Sequence, residues 1–409
     1  MSALTTAAAE VSADAGPVEL EKQYLLQNYA RYPLLLTRGR GCYVWDDAGN
    51  KYLDLIAGIG VNALGHAHPR ITKVIREQAA RIVHTSNLYY HDYQGPLAKK
   101  LAEKSGLARS FFTNSGTESM EGAIKMIRAH GSRLGPEKIE IISLENSFHG
   151  RSTGALAITG QHKYRKDFEP LLPGVRFVPL NDVGALEQAV TPRTAGVVLE
   201  CIQGEGGIYA ITPAYLRRAR ELCDRHDALL VFDEIQSGVG RPGTYFSYQL
   251  AEPTVLPDIT VVAKPLGCGL PIGAIIANEK AAATIGPGMH GSTFGGNALA
   301  CRVALEFFDI LEELLPSIVN VGNYFRARLI ELARRHSFVK EVRGAGLMIG
   351  MELTHPCRQL VLDGIKAGLL FNCTHDTVLR FLPAYILSEK EVDRAVSGLK
   401  KLFRAFNPN

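Results

Sequence analysis

The chain has 409 residues, of which 46% are hydrophobic, and a mean hydropathy of +0.02. These values are typical of a globular protein with a large core and exclude a disordered or fibrous chain. Lysine and arginine number 45 and aspartate and glutamate 41, a formal net charge of +4 with no conspicuous basic run, so a nucleic-acid partner is not expected. The longest uncharged stretch, 281–301, contains five glycines, a proline and a histidine, so no membrane crossing is expected.

Neither the beginning of the chain nor its cysteines carry an export pattern. Residues 1–20 are rich in alanine, lack arginine and carry three acidic residues, which fits neither a secretory signal nor a transit peptide. We expect this segment to be a flexible tail. The seven cysteines are scattered and form no C-x-x-C pair, which predicts reduced thiols in a cytoplasmic protein without a structural zinc or another metal site.

In chain order, the next pattern is a short arm at 22–36, followed at 41–61 by a hairpin with its turn at Asp47-Ala48-Gly49-Asn50. From about 70 to 305, short apolar runs alternate with amphipathic stretches, which predicts an α/β fold with a mostly parallel sheet covered by helices. The predicted strands are 138–143, 196–200, 228–232, 259–263 and 272–277, and the predicted helices are about 118–130 and 212–226. Further along, helical stretches surround short strands at 347–353 and 378–381.

These patterns suggest how the chain is divided into domains. Residues 66–305 should form a large domain, and 306–409 a smaller C-terminal one. The N-terminal arm and hairpin, 21–65, are expected to complete the small domain, while 1–20 remain a tail.

Two polar residues directly follow predicted buried strands, at the sheet edge where ligands bind in open parallel sheets. Lys264 follows ITVVA, where partial burial would lower the pKa of its amine and favour Schiff-base formation. Asp233 ends ALLVFD, where a carboxylate needs a cation such as a protonated pyridine ring. The alternatives are a solvated surface lysine and, for the aspartate, a metal ligand or helix cap.

Two further motifs are expected at the same edge. Asn114-Ser115-Gly116-Thr117-Glu118 opens a helical stretch, where exposed N–H groups favour a phosphate, although an ordinary N-cap with a capping-box acid explains it equally well. Thr293 could add a phosphate contact. In Phe148-His149-Gly150-Arg151 the aromatic ring could stack on a planar cofactor and the arginine could bind a carboxylate, although Phe148 alone is more often core and His149 a satisfied polar residue.

Taken together, these motifs resemble the class III aminotransferases among the fold type I pyridoxal phosphate enzymes, and within them the group that acts on acetylornithine in arginine biosynthesis. The resemblance covers about residues 29–395 and rests on SGTES, FHGRS, CIQGEGG, VFDEIQSGVGR, AKPLGCGLPIGA, GSTFGGNALA, VRGAGLMIGMEL and LRFLPA, among other stretches. It implies a large domain with a mostly parallel seven-stranded sheet that binds pyridoxal 5'-phosphate. It also implies a homodimer with shared active sites.

The resemblance further implies a role for each candidate residue. Lys264 carries the cofactor and shuttles the proton. Around the ring, Asp233 contacts the pyridine nitrogen, Gln236 the ring hydroxyl and Phe148 the ring face. The phosphate is bound by Ser115, Gly116 and Thr117, and by Thr293 of the neighbouring subunit. Arg380 binds the α-carboxylate of glutamate, and Glu205 neutralises it when the other substrate is present. Arg151, with Ser292, holds the distal carboxylate of the amine donor. The alternative for Glu205 and Arg380 is a static ion pair.

The expected reaction moves the side-chain amino group of N-acetylornithine to 2-oxoglutarate, giving N-acetylglutamate 5-semialdehyde and glutamate. One alternative is a broader ω-aminotransferase acting on succinylornithine, succinyl-diaminopimelate, ornithine or 4-aminobutyrate. A remote alternative is a regulator that binds the cofactor without turnover, but residues 21–60 are too short and strand-like for the DNA-binding domain that such regulators usually carry.

Overall fold

The computed structural model describes residues 15–406, and the fold is best followed from the N-terminal segment. A helix precedes a three-stranded meander, two further helical segments and a longer helix: α1 Pro17–Tyr24, β1 Leu36–Arg40, β2 Tyr43–Asp46, β3 Lys51–Asp54, α2 Ala57–Gly60, α3 Pro69–Ala79 and α4 Gln94–Ser105. The turn predicted at 47–50 joins β2 to β3, where Asp46 accepts hydrogen bonds from the backbone and side chain of Asn50. Residues 17–20 belong to α1 rather than to a tail, and residues 1–14 of the predicted tail lie outside the described residues.

The middle of the chain builds the large sheet and its covering helices. Its elements are β4 Arg109–Thr113, α5 Gly116–Leu134, β5 Glu140–Leu144, α6 Thr153–Ala157, α7 His162–Arg165, β6 Val175–Val178, α8 Val183–Ala189, β7 Thr194–Leu199, β8 Ile202–Gln203, β9 Tyr209–Ala210, α9 Pro213–Arg225, β10 Leu229–Asp233, β11 Ile259–Val262, β12 Gly273–Ala277 and α10 Glu279–Ala282. Short 3-10 turns lie at Ser247–Leu250 and Lys264–Gly267. The seven-stranded sheet has the order β4-β12-β11-β10-β7-β5-β6.

The sheet confirms the predicted mostly parallel architecture, with one exception. β12 runs antiparallel to both of its neighbours, β11 and β4. Two strands, β4 and β6, were not predicted because each mixes polar and apolar residues in a short edge or near-edge run. The predicted helices 118–130 and 212–226 correspond to α5 and α9, and Ser115 and Thr212 cap them.

Both faces of the sheet are covered, which explains the continuous apolar runs of its central strands. Successive side chains of β10 point to opposite faces, so Val231 packs into the cluster that contains α5 residues Ile124 and Ile127, whereas Leu230 packs into the cluster with Tyr215 of α9. Every residue of β7 and of β10 is buried. The sheet edge is therefore a rigid platform on which the following residues are placed.

The C-terminal part begins with a long helix and contains a second sheet. Its elements are α11 Ala298–Ala333, β13 Val339–Ala345, β14 Met348–Leu353, α12 Arg358–Lys366, β15 Leu369–Leu370, β16 Asn372–Thr374, β17 Val378–Phe381 and α13 Glu389–Ala405. β15 pairs in parallel with β3, so the N-terminal meander is hydrogen-bonded to the C-terminal part. The predicted domain boundary at 305/306 falls inside α11, and the division into domains stays a prediction.

The prediction of reduced thiols is wrong for two of the seven cysteines. Cys357 and Cys373 form a disulfide whose Cα atoms are 5.9 Å apart, while the other five are free. The 16-residue separation hid the pair, because only the fold brings the start of α12 next to β16. Within residues 15–406, no helix combines the length and apolar character needed to span a bilayer.

Candidate active site

A cavity of about 480 Å³ lies where the parallel strands of the large sheet end. Four residues at or just after the ends of these strands, Asn114, Glu200, Asp233 and Lys264, all line it. The remaining lining consists of Val61, Ser115, Gly116, Thr117, Phe148, His149, Gly150, Arg151, Ile235, Gln236, Ala263, Gly269, Leu270, Pro271 and Ile272. The sheet edge thus brings eight predicted site residues together: Ser115, Gly116, Thr117, Phe148, Arg151, Asp233, Gln236 and Lys264.

Lys264 stands two residues after β11, at the start of the turn Lys264–Gly267. Burial lowers the pKa of its amine, and the negative charges of Glu205 and Asp233 oppose that shift only in part. A lowered pKa increases the fraction of neutral amine, which is the nucleophilic form. The lysine therefore combines a cavity position with a lowered pKa, which favours the neutral amine that condensation with an aldehyde requires.

Asp233 is the last residue of β10 and is only 4% exposed. Its Oδ1 accepts a hydrogen bond of 3.0 Å from the Ile235 amide, and its Oδ2 lies 2.7 Å from His149 Nδ1. A carboxylate has about four acceptor positions, so this one can still bind a cationic N–H that enters the cavity. Two protein contacts hold it in a fixed orientation.

His149 and Glu200 are functional candidates that the motif analysis did not assign. Burial would lower the pKa of His149, but its hydrogen bond to Asp233 and the charges of Asp233 and Glu200 raise it. Its Nε2 is buried without a hydrogen-bond partner among the described residues. Burial raises the pKa of Glu200 to about 7, and its carboxylate accepts amide hydrogen bonds from Phe148 at 2.9 Å and Gly204 at 3.1 Å. An acid at the end of the buried run GVVLE was the signal that could have revealed Glu200.

The start of α5 is a helix cap whose free N–H groups are suited to an anion. Ser115 Oγ accepts a hydrogen bond of 3.3 Å from the Glu118 amide, so the N-cap interpretation is correct. Glu118, however, binds the amide and side chain of Asn114 rather than closing a capping box on Ser115. A Cβ on Gly116 would lie 2.8 Å from Ile235, so only glycine fits here. The first N–H groups of a helix attract phosphate, and Thr117 adds a hydroxyl, which lies 2.6 Å from Ser152 Oγ.

The loop after β5 places an aromatic ring beside a free guanidinium. The Arg151 Cζ atom lies 5.3 Å from the centre of the Phe148 ring and 5.4 Å from that of Tyr164. Arg151 is exposed and makes no ion pair within residues 15–406. An arginine held by aromatic faces and without an acidic partner can receive a carboxylate from a ligand.

Glu205 and Arg380 pair with each other behind Gln236 and do not line the cavity. Arg380, which is 1% exposed, donates from Nη1 to Glu205 Oε1 at 2.6 Å and to Gln236 Oε1 at 3.0 Å. Burial alone would raise the pKa of Glu205, but the charge and hydrogen bond of Arg380 lower it below its ordinary value. The pair is thus ionised, while Glu205 keeps a partly exposed side chain.

Two further predicted residues, besides Glu205 and Arg380, are not brought into the cavity of their own chain. Thr293 is exposed and does not line it. Ser292 also lies outside, where its Oγ accepts hydrogen bonds from Asn114 Nδ2 at 3.1 Å and the Gly295 amide at 2.9 Å. Both belong to the loop before α11, which joins the site only indirectly.

The cavity residues fit pyridoxal 5'-phosphate by their chemistry. The amine of Lys264 suits the aldehyde, the carboxylate of Asp233 suits a protonated ring nitrogen, and the start of α5 suits the phosphate. The backbone at Gly116 approaches too closely for a side chain, and the unpartnered His149 Nε2 leaves polar capacity next to Asp233.

The fold and the site define a pyridoxal-phosphate-dependent enzyme. The family model described as "Aminotransferase class-III" matches residues 24–403, which is most of the chain. The chain therefore belongs to the class III aminotransferase family and has the fold type I architecture of these transaminases.

Named relatives agree with this assignment. The chain is 47% identical over 389 residues to an acetylornithine aminotransferase of Methanocaldococcus jannaschii, covering 94% of this chain and 97% of the relative. Its structure is similar to an ornithine aminotransferase of Toxoplasma gondii, described with partial occupancy of PLP at the active site (TM-score 0.90, 34% identity, 95% and 94% of the two chains). It is also similar to an acetylornithine aminotransferase of Elizabethkingia anophelis (TM-score 0.84, 31% identity, 95% and 98%). Family membership supports a catalytic protein over the non-catalytic regulator.

Proposed function

We propose that this aminotransferase moves the side-chain amino group of N-acetylornithine to 2-oxoglutarate, giving N-acetylglutamate 5-semialdehyde and glutamate. The observation that carries the proposal is the pair of differently held arginines. Arg151 is free of acidic partners among the described residues, whereas Arg380 is neutralised by Glu205. Two carboxylate sites, one open and one gated, suit two substrates that present a carboxylate at different distances from the reacting amine.

The residues at the strand ends would hold the cofactor. When bound, pyridoxal 5'-phosphate supplies an electron sink for the carbon that loses its proton. Lys264 Nζ takes up that proton and returns it at the neighbouring carbon, which requires the lowered pKa that burial causes. Asp233 would hold the pyridine N–H, and Gln236 would bind the ring hydroxyl. Phe148 would cover the ring face, and Ser115, Gly116 and Thr117 would supply the phosphate contacts.

Arg151 would bind the distal carboxylate of the amine donor. Its guanidinium can form two parallel hydrogen bonds to a carboxylate, and the rings of Phe148 and Tyr164 restrict where it points. In this proposal Ser292 supports that carboxylate. Because the donor reacts through its side-chain amine, its carboxylate is separated from the reacting atoms by the length of the side chain.

Glu205 and Arg380 would act as a switch between the two substrates. When the acylated donor is present, the ion pair of 2.6 Å keeps the charge of Arg380 satisfied. When glutamate or 2-oxoglutarate is present, Glu205 turns away and the α-carboxylate takes its place. If Glu205 turned away and no carboxylate took its place, Arg380, which is 1% exposed, would be left without a charged partner. Such a loss costs about 3–5 kcal/mol.

The enzyme would work as a homodimer in which Thr293 binds the phosphate in the partner's site. In one chain, Leu88, Tyr90 and Phe294 are 84%, 105% and 62% exposed. Asn87 links the segment of Leu88 and Tyr90 to that of Phe294, because its side chain donates hydrogen bonds to the carbonyls of Ser292 at 3.2 Å and Gly295 at 3.0 Å. Large apolar side chains exposed together mark a protein interface, here directly beside Thr293.

Complementation tests the shared site. Thr293→Ala and Lys264→Ala are co-expressed with different tags, and the mixed dimer is isolated. If Thr293 acts across the interface, one site of the mixed dimer is complete, and its cofactor affinity and turnover rise well above those of either parent. The proposal is rejected if the turnover of the mixed dimer is no more than half that of the Thr293→Ala parent. It is also rejected if light scattering shows that the protein is a monomer.

A substrate panel tests the reaction. Steady-state kinetics with 2-oxoglutarate would compare N-acetylornithine, N-succinylornithine, N-succinyl-diaminopimelate, ornithine and 4-aminobutyrate. We expect kcat/KM for N-acetylornithine to exceed that for ornithine at least tenfold. The similarity to the ornithine aminotransferase structure favours a broader ω-aminotransferase as the second candidate. A preference for free ornithine or 4-aminobutyrate would replace the first candidate by the second.

A further inference from the structure

The short strand β16 contacts both members of the Glu205–Arg380 pair. Asn372 and Arg380 are directly opposite in the β16–β17 ladder, and Arg380 Nε donates to Asn372 Oδ1 at 3.1 Å. Two positions further along β16, Thr374 Oγ1 donates to the Glu205 carbonyl at 2.8 Å and lies 3.4 Å from its Oε2. Because side chains alternate along a strand, Asn372 and Thr374 share one face, and Cys373 points to the other.

Asn372 is one of three partners that Arg380 would keep if Glu205 turned away. The bonds that remain are Nε to Asn372, and Nη1 to Gln236 Oε1 at 3.0 Å and to the Gly204 carbonyl at 3.2 Å. A bond at Nε fixes the plane of the guanidinium, because that nitrogen lies at the base of the fork. The arginine therefore stays aimed, so an incoming carboxylate meets a preorganised partner.

Thr374 contacts both the main chain and the side chain of Glu205. Its short hydrogen bond goes to the backbone carbonyl, so the main chain of Glu205 is pinned while the side chain can rotate. The same hydroxyl proton is shared with Oε2 as the weaker arm of the bond, at 3.4 Å, in the position in which Glu205 neutralises Arg380. Thr374 is 5% exposed, so water does not readily replace this hydroxyl.

The opposite face of β16 is anchored covalently. Cys373 is bonded to Cys357, which is fully buried at the start of α12. A three-residue strand has few ladder hydrogen bonds of its own, so a cross-link at its central residue limits its displacement.

Resting on the switch proposed above, we propose that Asn372 and Thr374 are positioning residues that set the balance between the two substrates, with the Cys357–Cys373 bond as their anchor. Asn372 favours the state that receives glutamate, because it holds Arg380 in place without Glu205. Thr374 favours the state used by the acylated donor, because it stabilises Glu205 on Arg380. The two residues thus act on the same pair in opposite directions.

The test compares Asn372→Ala with Thr374→Val in each half-reaction. We expect Asn372→Ala to lower kcat/KM for glutamate about tenfold, since the loss of one charge-assisted hydrogen bond has an effect of about that size. The kcat/KM for N-acetylornithine should fall less than threefold. Thr374→Val should lower kcat/KM for N-acetylornithine three- to tenfold with little effect on glutamate, and Thr374→Ser should restore it. Thr377→Val is the matched control, because it lies in the same hairpin and its hydroxyl donates to the His375 carbonyl rather than to Glu205 or Arg380.

Binding of glutarate, a dicarboxylate with no amine or ketone to react, gives a readout independent of turnover. By calorimetry, Asn372→Ala should raise its Kd about tenfold and Thr374→Val should leave or lower it. General damage would impair both substrates in both variants, so equal losses or no change overturn the inference. If Arg380→Ala is selective for glutamate while these variants are not, this inference alone fails; if Arg380→Ala is unselective as well, the switch itself is wrong.

The anchor is tested separately with Cys357→Ser and Cys373→Ser. Both variants break the same bond, so both should shift the ratio of the two kcat/KM values by a similar factor, which we expect to be two- to fivefold. Cys223→Ser, at a free buried cysteine of α9 that does not line the cavity, controls for loss of a thiol. An unchanged ratio in both variants, or a shift in only one of them, removes the disulfide from the proposal.

Discussion

The two sides of the active site are built by different means. Lys264 and Asp233 follow buried strands of the large sheet, and the main chain of that sheet fixes where they lie. Glu205 and Arg380 are 175 residues apart, and side-chain hydrogen bonds to Gln236, Asn372 and Thr374 hold them together. The first side is fixed by backbone pairing, whereas the second is held by bonds that can be exchanged one at a time.

This difference matches the chemistry proposed for each side. The cofactor is the same in both half-reactions, so its residues gain from rigidity, and Asp233 is held by both the Ile235 amide and His149. The substrates alternate, so the carboxylate site must change its charge balance in every cycle. A bistable ion pair provides that change without moving the sheet.

The largest expected effect lies on the rigid side. Lys264→Ala should reduce amino transfer by about a thousandfold or more, because it removes both the nucleophile and the proton carrier. Lys264→Arg keeps a positive charge but cannot form the same bond, so it should be equally inactive. Turnover and the absorbance of the bound cofactor would be measured together. A variant with near-normal turnover would show that another amine does this work.

Asp233→Ala should produce the next largest effect. The ring nitrogen would lose its buried counter-ion, which is worth about 3–5 kcal/mol, or roughly a hundredfold to several thousandfold in rate or cofactor affinity. Asp233→Asn, which keeps the shape but not the charge, separates the electrostatic part. Cofactor retention during dialysis and turnover are the measurements. Retained cofactor with normal turnover would contradict the assignment of Asp233 to the ring nitrogen.

The rigid side is also the side that the sequence predicts well. Apolar runs such as ALLVF and ITVVA identify strands, and in a parallel sheet the residues after such runs must meet at one edge. That rule placed Lys264 and Asp233 around one cavity. It also applied to Glu200, but a single acid after a strand is too weak a pattern without a partner, and its contacts to Phe148 and Gly204 arise only in the fold.

The exchangeable side could be predicted only through resemblance to a family. No local pattern links Glu205 to Arg380, since their pairing depends on how β17 is placed beside the loop after β8. Asn372, Thr374 and the Cys357–Cys373 bond were missed for the same reason. Local periodicity determines elements, but it contains no information on which side chains from distant elements meet.

Arg380→Ala is the direct test of the difference between the two sides. It should lower kcat/KM for glutamate about a hundredfold, because a buried charge-assisted contact to a carboxylate costs about 2–5 kcal/mol when it is removed. N-acetylornithine should lose less than fivefold. Arg151→Ala should show the reverse selectivity and serves as the matched control. Equal losses in both half-reactions would make Glu205 and Arg380 a static ion pair, as the alternative interpretation holds.

The smallest expected effect concerns the stability of the rigid side. Glu234 is fully buried behind Asp233, and burial raises its pKa from 4.5 to about 7, although Ser247 and Tyr248 donate hydrogen bonds to it. The folded chain therefore keeps a proton that the unfolded chain releases above pH 4.5. Its contribution to stability is complete below about pH 4.5 and is lost as the pH rises through about 7.

Glu234→Gln removes this titration. Between pH 5 and 7, the free energy of unfolding of the wild type should fall more steeply with pH than that of the variant, by at most about 1.4 kcal/mol per pH unit for one proton. Urea unfolding at a series of pH values measures the two slopes, and Glu137→Gln, at an exposed position, should leave the slope unchanged. Parallel curves for wild type and Glu234→Gln would mean that this carboxyl is ionised in the folded chain. The hydrogen bonds from Ser247 and Tyr248 would then outweigh its burial, and the rigid side would hold one more negative charge next to Asp233.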